Sequence, residues 1–254
     1  MERILMDEIP RLNFRVEEAY KTLRTNIQFC GEHIKTITFT SCIPNEGKST
    51  VTIQISRAMA ELGKKVLFID ADIRGSVMAS TYNFRGAIDE MIANEFMTAP
   101  VASRYGRIKP IQGLTEYLTG QCELAECLYK SSVDGMDIMV TGLEAPNPSE
   151  LLGSEKFREM IQTMREVYDY VFIDCPPLGL VTDAALVAGI CDGAILVIES
   201  ESISYKIAQR IKKQLESSKC RVLGAVLNKV PVKESGYGKR YEKYYNHYSK
   251  GKRK

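Results

Sequence analysis

The segment that decides the fold is Ser41-Cys-Ile-Pro-Asn-Glu-Gly-Lys-Ser-Thr50, which lies between a predicted strand and a predicted helix. Residues 35–40 (KTITFT) are rich in β-branched side chains and predict the strand, while residues 48–62, closed by Gly63, predict the helix. Gly47-Lys48-Ser49 has the form of the end of a P-loop, in which backbone N–H groups and the helix N-terminus surround phosphate groups. The segment therefore predicts a nucleotide-binding site.

The side chains of this loop suit the parts of a nucleoside triphosphate. In such loops the lysine, here Lys48, neutralises β- and γ-phosphate oxygens, and the hydroxyl of Ser49 ligates Mg²⁺. Cys42 stands where the general pattern has glycine. The residues of the loop that we expect to bind the nucleotide are Asn45, Glu46, Gly47, Lys48, Ser49 and Thr50.

Two further predicted strands end in aspartates. Residues 65–70 (KVLFID) end in Asp70, and Asp72 faces the same side because strand side chains alternate. Residues 170–174 (YVFID) end in Asp174, in the form of a Walker B strand whose acid holds Mg²⁺ directly or through water. Three carboxylates beside a P-loop predict metal-assisted phosphoryl transfer, in which one acid accepts a hydroxyl proton.

These acids complete the predicted catalytic set. The catalytic residues are Lys48, Asp70, Asp72 and Asp174, and the metal ligands are Ser49, Asp72 and Asp174. Which of Asp70 and Asp72 is the base and which is the metal ligand stays open at this point. Asn228, at the end of the last predicted strand, is either an adenine contact or a polar strand terminus.

The remaining pattern alternates strands with helices. Such βαβ units predict a three-layer α/β/α domain with a mostly parallel sheet and ligands at the carboxyl ends of the strands. Residues 75–112 predict short helices and loop. The other predicted strands are 137–141, 193–199 and 222–228, and the other predicted helices are 15–29, 154–168, one from near 182, and 202–217.

Charge divides the chain into two parts. The net charge is +2, but nine basic residues against two acidic ones from Lys229 onward give that part +7 and leave −5 on the rest. The basic part contains five tyrosines and almost no aliphatic side chains, so we expect a flexible tail at residues 233–254 after one domain at residues 1–232. Alone, such a tail would be a solvated arm for anionic lipid or nucleic acid.

Composition excludes several classes of function. With 44% hydrophobic and 26% charged residues the chain is neither disordered nor collagen-like. Seven cysteines without a CxxC pair indicate reduced thiols, and two histidines leave little for a zinc site or a Ser-His-Asp triad. No stretch approaches the ~20 apolar residues of a membrane helix, and the first residues do not have the form of a signal peptide. We expect a cytoplasmic protein.

The order of motifs resembles the bacterial tyrosine kinases (BY-kinases) of capsule and exopolysaccharide systems. The order is the P-loop, the DxDxR motif at residues 70–74, the hhhDxPP motif at 171–177, and a tyrosine-rich C-terminus. Their P-loop fold is unrelated to that of eukaryotic kinases. The other stretches that carry the resemblance are 18–27 (EAYKTLRTNI), 113–118 (GLTEYL), 147–154 (NPSELLGS), 181–184 (VTDA) and 226–229 (VLNK).

The resemblance implies an activity. It implies a protein-tyrosine autokinase that uses Mg²⁺ and ATP, regulates polysaccharide synthesis and export, and phosphorylates the tails of neighbouring subunits. Lys48 would contact the γ-phosphate, Ser49 would contact the ion, and Asp174 would be the Walker B acid. Asp70 and Asp72 would supply the catalytic base and help to hold the metal. The implied phosphoacceptors are Tyr237, Tyr241, Tyr244, Tyr245 and Tyr248.

The resemblance also implies partners. The family's ExxRxxR helix supports a ring, and its counterparts here are Glu18, Lys21 and Arg24, so lysine replaces the middle arginine. Without a membrane helix of its own, the chain would work with a separate transmembrane activator that holds it at the inner face of the cell membrane. A cognate tyrosine phosphatase is also implied, and nucleic acid is not.

Two other functions remain open from the residues. A switch ATPase of the partitioning or division-site type shares this sheet and its acids, but it carries a lysine where Ile43 stands and lacks a tyrosine-rich tail. The other is an ATP-binding scaffold of a polysaccharide synthesis complex that phosphorylates nothing. Cys42 is one reason to keep the scaffold as an alternative. The other is the segment after Arg74, where Gly75 and Ser76 stand and the family usually has a proline nearby.

Overall fold

The computed structural model describes residues 4–5, 9, 12–76, 78, 85–86 and 111–231. Its strands are β1 (Ile4–Leu5), β2 (Thr36–Ser41), β3 (Val66–Asp70), β4 (Arg85–Gly86), β5 (Tyr129–Lys130), β6 (Met136–Met139), β7 (Tyr170–Asp174), β8 (Gly193–Glu199) and β9 (Val222–Asn228). Its helices are α1 (Phe14–Phe29), α2 (Lys48–Ala60), α3 (Leu114–Leu118), α4 (Pro148–Leu152), α5 (Glu155–Val167), α6 (Asp183–Ala188) and α7 (Tyr205–Ser217), with a 3₁₀ turn at Leu124–Glu126.

Seven of these strands form one sheet in the order β5-β6-β3-β7-β2-β8-β9. All neighbours are parallel except β5 and β6. The carboxyl ends of β3, β7 and β2 therefore lie side by side. The loops that follow these strands lie along the same end of the sheet, its carboxyl edge. β1 and β4 form a separate antiparallel pair.

Apolar side chains cover both faces of the sheet. On one face Phe39 and Phe172 meet edge to face, with ring centroids 5.6 Å apart, beneath α1 and α2. On the other face Leu67 and Ile173 pack with α5, α6 and α7. Burial on both faces explains why β2, β3 and β7 are buried along their whole length, as parallel strands between helices are.

Local signals account for the helices. The Asn13 side chain accepts the Val16 N–H at the start of α1, and the Ser154 hydroxyl accepts the Phe157 N–H at the start of α5. Helix α5 is amphipathic, because its buried residues repeat every three or four positions and so lie on one face. These residues are Phe157, Met160, Ile161 and Met164.

The three-layer fold with a mostly parallel sheet is confirmed, and the differences are local. β6 ends at Met139 rather than at residue 141, because the carbonyls of Val140 and Thr141 instead accept N–H groups at the start of α3. The antiparallel strand β5 and the short helices α3 and α4 were not predicted. The helix predicted from residue 202 begins at Tyr205.

Two regions of the predictions lie mainly or wholly outside the described residues. These are most of the segment 75–112 and the tail at 233–254. Within the described part of the chain, no helix combines the length and the apolar character that crossing a membrane requires.

Candidate active site

The P-loop follows β2 and enters α2 through two residues in the left-handed region. Asn45 has φ +64° and Gly47 has φ +87°. A Cβ atom at position 47 would lie 2.2 Å from the side-chain nitrogen of Asn228, so both the backbone angle and the space favour glycine there. This turn brings the N-terminus of α2 to the carboxyl edge of the sheet, where its free N–H groups favour an anion.

Lys48, the first residue of α2, lies among the predicted carboxylates. Its ammonium nitrogen is 2.9 Å from Asp72 Oδ2, 3.6 Å from Asp174 Oδ1 and 3.3 Å from the Ser49 hydroxyl. Burial disfavours its charge, but Asp174 and Asp72 outweigh burial and hold the pKa of Lys48 above its ordinary value. The predicted catalytic lysine, two of the predicted acids and the predicted hydroxyl thus meet at one point.

Asp70 and Asp174 end neighbouring strands and stand opposite each other in the register of β3 and β7. Burial, together with the charge of Asp174, raises the pKa of Asp70, although the Ser76 hydroxyl donates to its carboxylate. Burial also raises the pKa of Asp174, whereas Lys48 opposes that shift. Two buried acids therefore face each other with less than full compensation.

The carboxylate of Asp174 is the least satisfied acid of this edge. Neither of its oxygens accepts a hydrogen bond of ordinary geometry, although the side chain is only 1% exposed. A buried polar atom without a partner costs free energy, and Mg²⁺ with its bound waters would supply the missing contacts. The donor set of Ser49, Asp72 and Asp174 consists of the hard oxygen ligands that Mg²⁺ prefers. The residues fit the predicted ion.

The Glu46 side chain turns away from the site. It is fully buried, and its oxygens accept the N–H groups of Cys42, Ile43 and Glu199 at 2.6, 2.9 and 3.1 Å. Burial, and then the charge of Glu46, raises the pKa of the Cys42 thiol to about 12, so this cysteine is an unreactive packing residue. The carboxylate of Glu46 is thus occupied by contacts within the protein, and the binding of nucleotide at position 46 stays a prediction.

The end of β9 touches the P-loop. The side chain of Asn228 donates to the Glu46 carbonyl at 2.9 Å, and the Lys229 ammonium donates to the Asn45 carbonyl at 2.6 Å. Lys229 also pairs with Glu199 at 3.0 Å. Asn228 therefore supports the loop backbone, and its contact with adenine stays a prediction.

A three-residue cluster beside the DxDxR motif was not predicted from the sequence. Arg74 donates to both oxygens of Asp183, at 2.5 and 3.1 Å, and the Ser149 hydroxyl donates to Asp183 at 2.6 Å. Burial opposes ionisation, yet Arg74 and Ser149 hold the pKa of Asp183 below its usual range. Each residue belongs to a different motif that carries the family resemblance, which was the available signal.

The predicted oligomerisation residues occupy α1. Lys21 pairs with Glu18 at 2.8 Å and with Glu17 at 3.3 Å, and Arg24 donates to the Ala58 carbonyl of α2 at 3.0 Å. Arg24 therefore packs within its own chain, and the role of this helix in assembly stays a prediction. Thr50 is exposed on α2. The five predicted phosphoacceptor tyrosines lie outside the described residues.

Known proteins resemble this chain in sequence and in fold. A family model described as an AAA domain matches residues 34–223. The tyrosine-protein kinase CpsD of Streptococcus agalactiae is 35% identical over 250 residues, which cover 98% of this chain and 97% of CpsD. The crystal structure of the chimerical protein CapA2B2 is 27% identical with a TM-score of 0.71, and the match covers 84% of each chain.

A more distant structure separates fold from family. The septum site-determining protein MinD of Pyrococcus horikoshii, solved with Mg-ADP, has a TM-score of 0.58 and 22% identity over 79% of this chain and 72% of its own. That likeness shows the P-loop fold alone, whereas the likeness to CpsD spans almost all of both sequences. The chain belongs to the AAA-domain family and, within it, to the bacterial tyrosine-protein kinases.

Proposed function

We propose that this protein is an ATP-dependent autokinase that phosphorylates the tyrosine cluster of its own tail in trans and regulates capsular or extracellular polysaccharide synthesis and export. Membership of the tyrosine-protein kinase family supports the activity. The observation that carries ATP and Mg²⁺ is the meeting of Lys48 with Asp72, Asp174 and Ser49 at the mouth of the P-loop.

Each residue has a role in this proposal. Lys48 is the cation for the transferred phosphate, and Ser49, Asp72 and Asp174 hold Mg²⁺. When bound, the ion neutralises charge that develops on the phosphate oxygens. Asp70 then takes the proton of the incoming tyrosine hydroxyl, because Asp72 and Asp174 are the acids paired with Lys48 and are used by the ion.

The acceptors are the tail tyrosines, and their basic surroundings give the reaction an electrostatic consequence. Each phosphate adds ~−2, so five would add about −10 to a part of the chain that now carries +7. A basic tail is attracted to the acidic edge of a neighbouring subunit, and a phosphorylated tail is repelled. We infer that unphosphorylated subunits associate in a ring through Glu18, Lys21 and Arg24 and that phosphorylation loosens it.

The partners belong to the same proposal. A separate transmembrane activator brings the protein to the inner face of the membrane, and a tyrosine phosphatase reverses the reaction. A structural relative that is a chimera, CapA2B2, supports work with a second protein.

Intact-mass measurement tests the proposal. The purified protein is incubated with Mg-ATP, with and without candidate activator tails, and each phosphate should add to the mass of the intact chain. Lys48→Met incubated by itself should stay unmodified. A variant with all five tail tyrosines changed to Phe should also stay unmodified.

Mixing these two variants tests transfer in trans. The variant without tail tyrosines retains a complete site and Lys48→Met retains the acceptors, so phosphate should appear on Lys48→Met alone. A mixture in which neither mass changes, while the wild type is modified, would contradict transfer between subunits. ATP hydrolysis without any protein-bound phosphate, with the activator present, would favour a switch ATPase.

A further inference from the structure

Glu46 is the buried acid of the P-loop that the proposed reaction leaves without a role. The residue is 0% exposed, although it lies between Asn45 and Gly47, two of the positions predicted to bind the nucleotide. A charged side chain is rarely buried completely unless other groups satisfy it. The contacts of this carboxylate therefore indicate what it does.

The carboxylate of Glu46 is surrounded by hydrogen-bond donors. Oε2 accepts the Cys42 N–H at 2.6 Å and the Ile43 N–H at 2.9 Å, while Oε1 accepts the Glu199 N–H at 3.1 Å. The Ser202 hydroxyl lies 3.2 Å from Oε1 and 2.8 Å from the Glu199 carbonyl. Three backbone N–H groups thus depend on one side chain.

These contacts join three strand ends. Cys42 and Ile43 follow β2, and Glu199 is the last residue of β8. The end of β9 joins them through Asn228, whose side chain donates to the Glu46 carbonyl at 2.9 Å. The first half of the phosphate-binding loop is thereby tied to two neighbouring strands by a residue within the loop itself.

We propose that Glu46 is a positioning residue that determines nucleotide affinity without touching the nucleotide. By accepting the N–H groups of Cys42 and Ile43, it holds the loop in the shape that leaves the N–H groups around Gly47 free for phosphates. The inference rests on the proposed function only in taking ATP as the ligand.

Glutamine at this position is a sharp test because it keeps the size of the side chain. Its amide nitrogen carries hydrogens and cannot accept an N–H group. Facing Cys42 and Ile43 it opposes two N–H groups, and facing Glu199 it opposes one. Either orientation leaves a buried N–H without a partner, and the expected cost is about a tenfold or larger rise in the dissociation constant.

The experiment measures binding of Mg-ATP by displacement of a fluorescent nucleotide, so that it does not depend on kinase activity. Wild type, Glu46→Gln and Lys48→Met are compared, with Glu216→Gln as the matched change at an exposed glutamate of α7. We expect about tenfold or weaker binding for Glu46→Gln and unchanged binding for Glu216→Gln. With the tail as acceptor, KM for ATP should rise while kcat at saturating ATP changes less than twofold.

Thermal unfolding of the nucleotide-free proteins separates positioning from stability. Equal ATP affinity in wild type and Glu46→Gln, whatever the change in melting temperature, would overturn the inference and leave the proposed function intact. A wild type that does not bind ATP would instead overturn the proposed function.

If Glu46→Gln does not fold, hydrogen exchange in the wild-type protein provides the second measurement. The amides of Cys42, Ile43 and Glu199 should exchange slowly and together without nucleotide, since one carboxylate holds all three. Fast exchange of the Cys42 and Ile43 amides would refute the role of Glu46.

Discussion

Two aspartates at opposite ends of the sheet differ in how fully the protein satisfies them. Asp192, just before β8 at the amino edge, accepts the N–H groups of Lys35 and Thr36 at 2.9 Å each and pairs with Arg165 at 3.2 Å. Asp174, at the carboxyl edge, accepts no hydrogen bond of ordinary geometry. Burial acts on both, yet the hydrogen bonds lower the pKa of Asp192, whereas the pKa of Asp174 is raised.

The difference separates a structural acid from a functional one. Asp192 has its partners within the chain and closes the start of β2 and β8. Asp174 has the Lys48 ammonium at 3.6 Å but accepts no hydrogen bond of ordinary geometry, so its ionised form remains disfavoured in the nucleotide-free protein. Buried acids with a perturbed pKa are typical of active sites.

The largest expected effect is the loss of nucleotide binding in Lys48→Met. ATP at about 100 times its dissociation constant should stabilise the wild type by ~2.7 kcal/mol, and the variant should show no such gain because the phosphates lose their cation. Thermal melting with and without Mg-ATP checks this. A folded Lys48→Met protein with the full ATP-induced shift would show that Lys48 does not contribute to nucleotide binding.

Next is the loss of phosphoryl transfer in Asp70→Asn and Asp72→Asn. Each should reduce the rate by ~10²-fold or more, the scale of losing a positioned base or charge, while ATP binding largely survives. Rates come from the mass of the intact protein at several times. Wild-type rates in both variants would mean that the DxD pair does not perform the chemistry.

Asp174→Asn should separate activity from stability. Phosphoryl transfer should fall by ~10²-fold or more because a predicted metal ligand is lost. Stability of the nucleotide-free protein should change by less than about 1 kcal/mol, because relief of a buried charge offsets the loss of the 3.6 Å ion pair with Lys48, and Lys48 keeps Asp72 at 2.9 Å. Urea unfolding measures it, and a loss of ~2 kcal/mol would put Asp174 in the same class as Asp192.

Asp192→Ala should behave in the reverse way. It removes the acceptor for two backbone N–H groups and for Arg165, so stability should fall by ~2 kcal/mol. Phosphoryl transfer by the folded fraction should be unchanged, because Asp192 lies at the other edge. Asp192→Asn, which keeps one acceptor oxygen, is the control and should lose less.

The smallest expected effect is that acid reduces the stability difference between wild type and Asp192→Ala. The folded pKa of Asp192 is lowered, so its contribution is complete above the ordinary aspartate pKa of ~3.9 and is lost as pH falls through the folded pKa. Urea unfolding from pH 8 to pH 3 should give a constant difference down to about pH 5 and a shrinking one below about pH 4. A difference that shrinks between pH 8 and pH 6 would contradict this.

The sequence could predict the sheet and the acids because their signals are local. A buried apolar run that ends in aspartate, as in residues 65–70, needs only its own residues to be recognised. Parallel strands then bring such ends to one edge without further information. Lys48, Asp72 and Asp174 were therefore expected together, and they are together.

Contacts between distant residues could not be read in this way. Arg74 meets Asp183 across 109 positions of the chain, and Glu46 meets Glu199 across 153. Each of these side chains has the same local appearance as an exposed charge, and only the fold determines its partner. The motif therefore predicts that Glu46 belongs to the nucleotide-binding loop, but not that its carboxylate accepts the Glu199 N–H.

The contact of Lys229 with the P-loop fixes the point from which the predicted tail starts. An extended chain spans at most ~3.6 Å per residue, so Tyr237 can lie no more than about 29 Å from Lys229 and Tyr248 no more than about 68 Å. The tyrosines are thus graded in reach from the subunit that carries them. The order in which the tyrosines acquire phosphate would therefore report the distance between Lys229 of one subunit and the active site that modifies its tail.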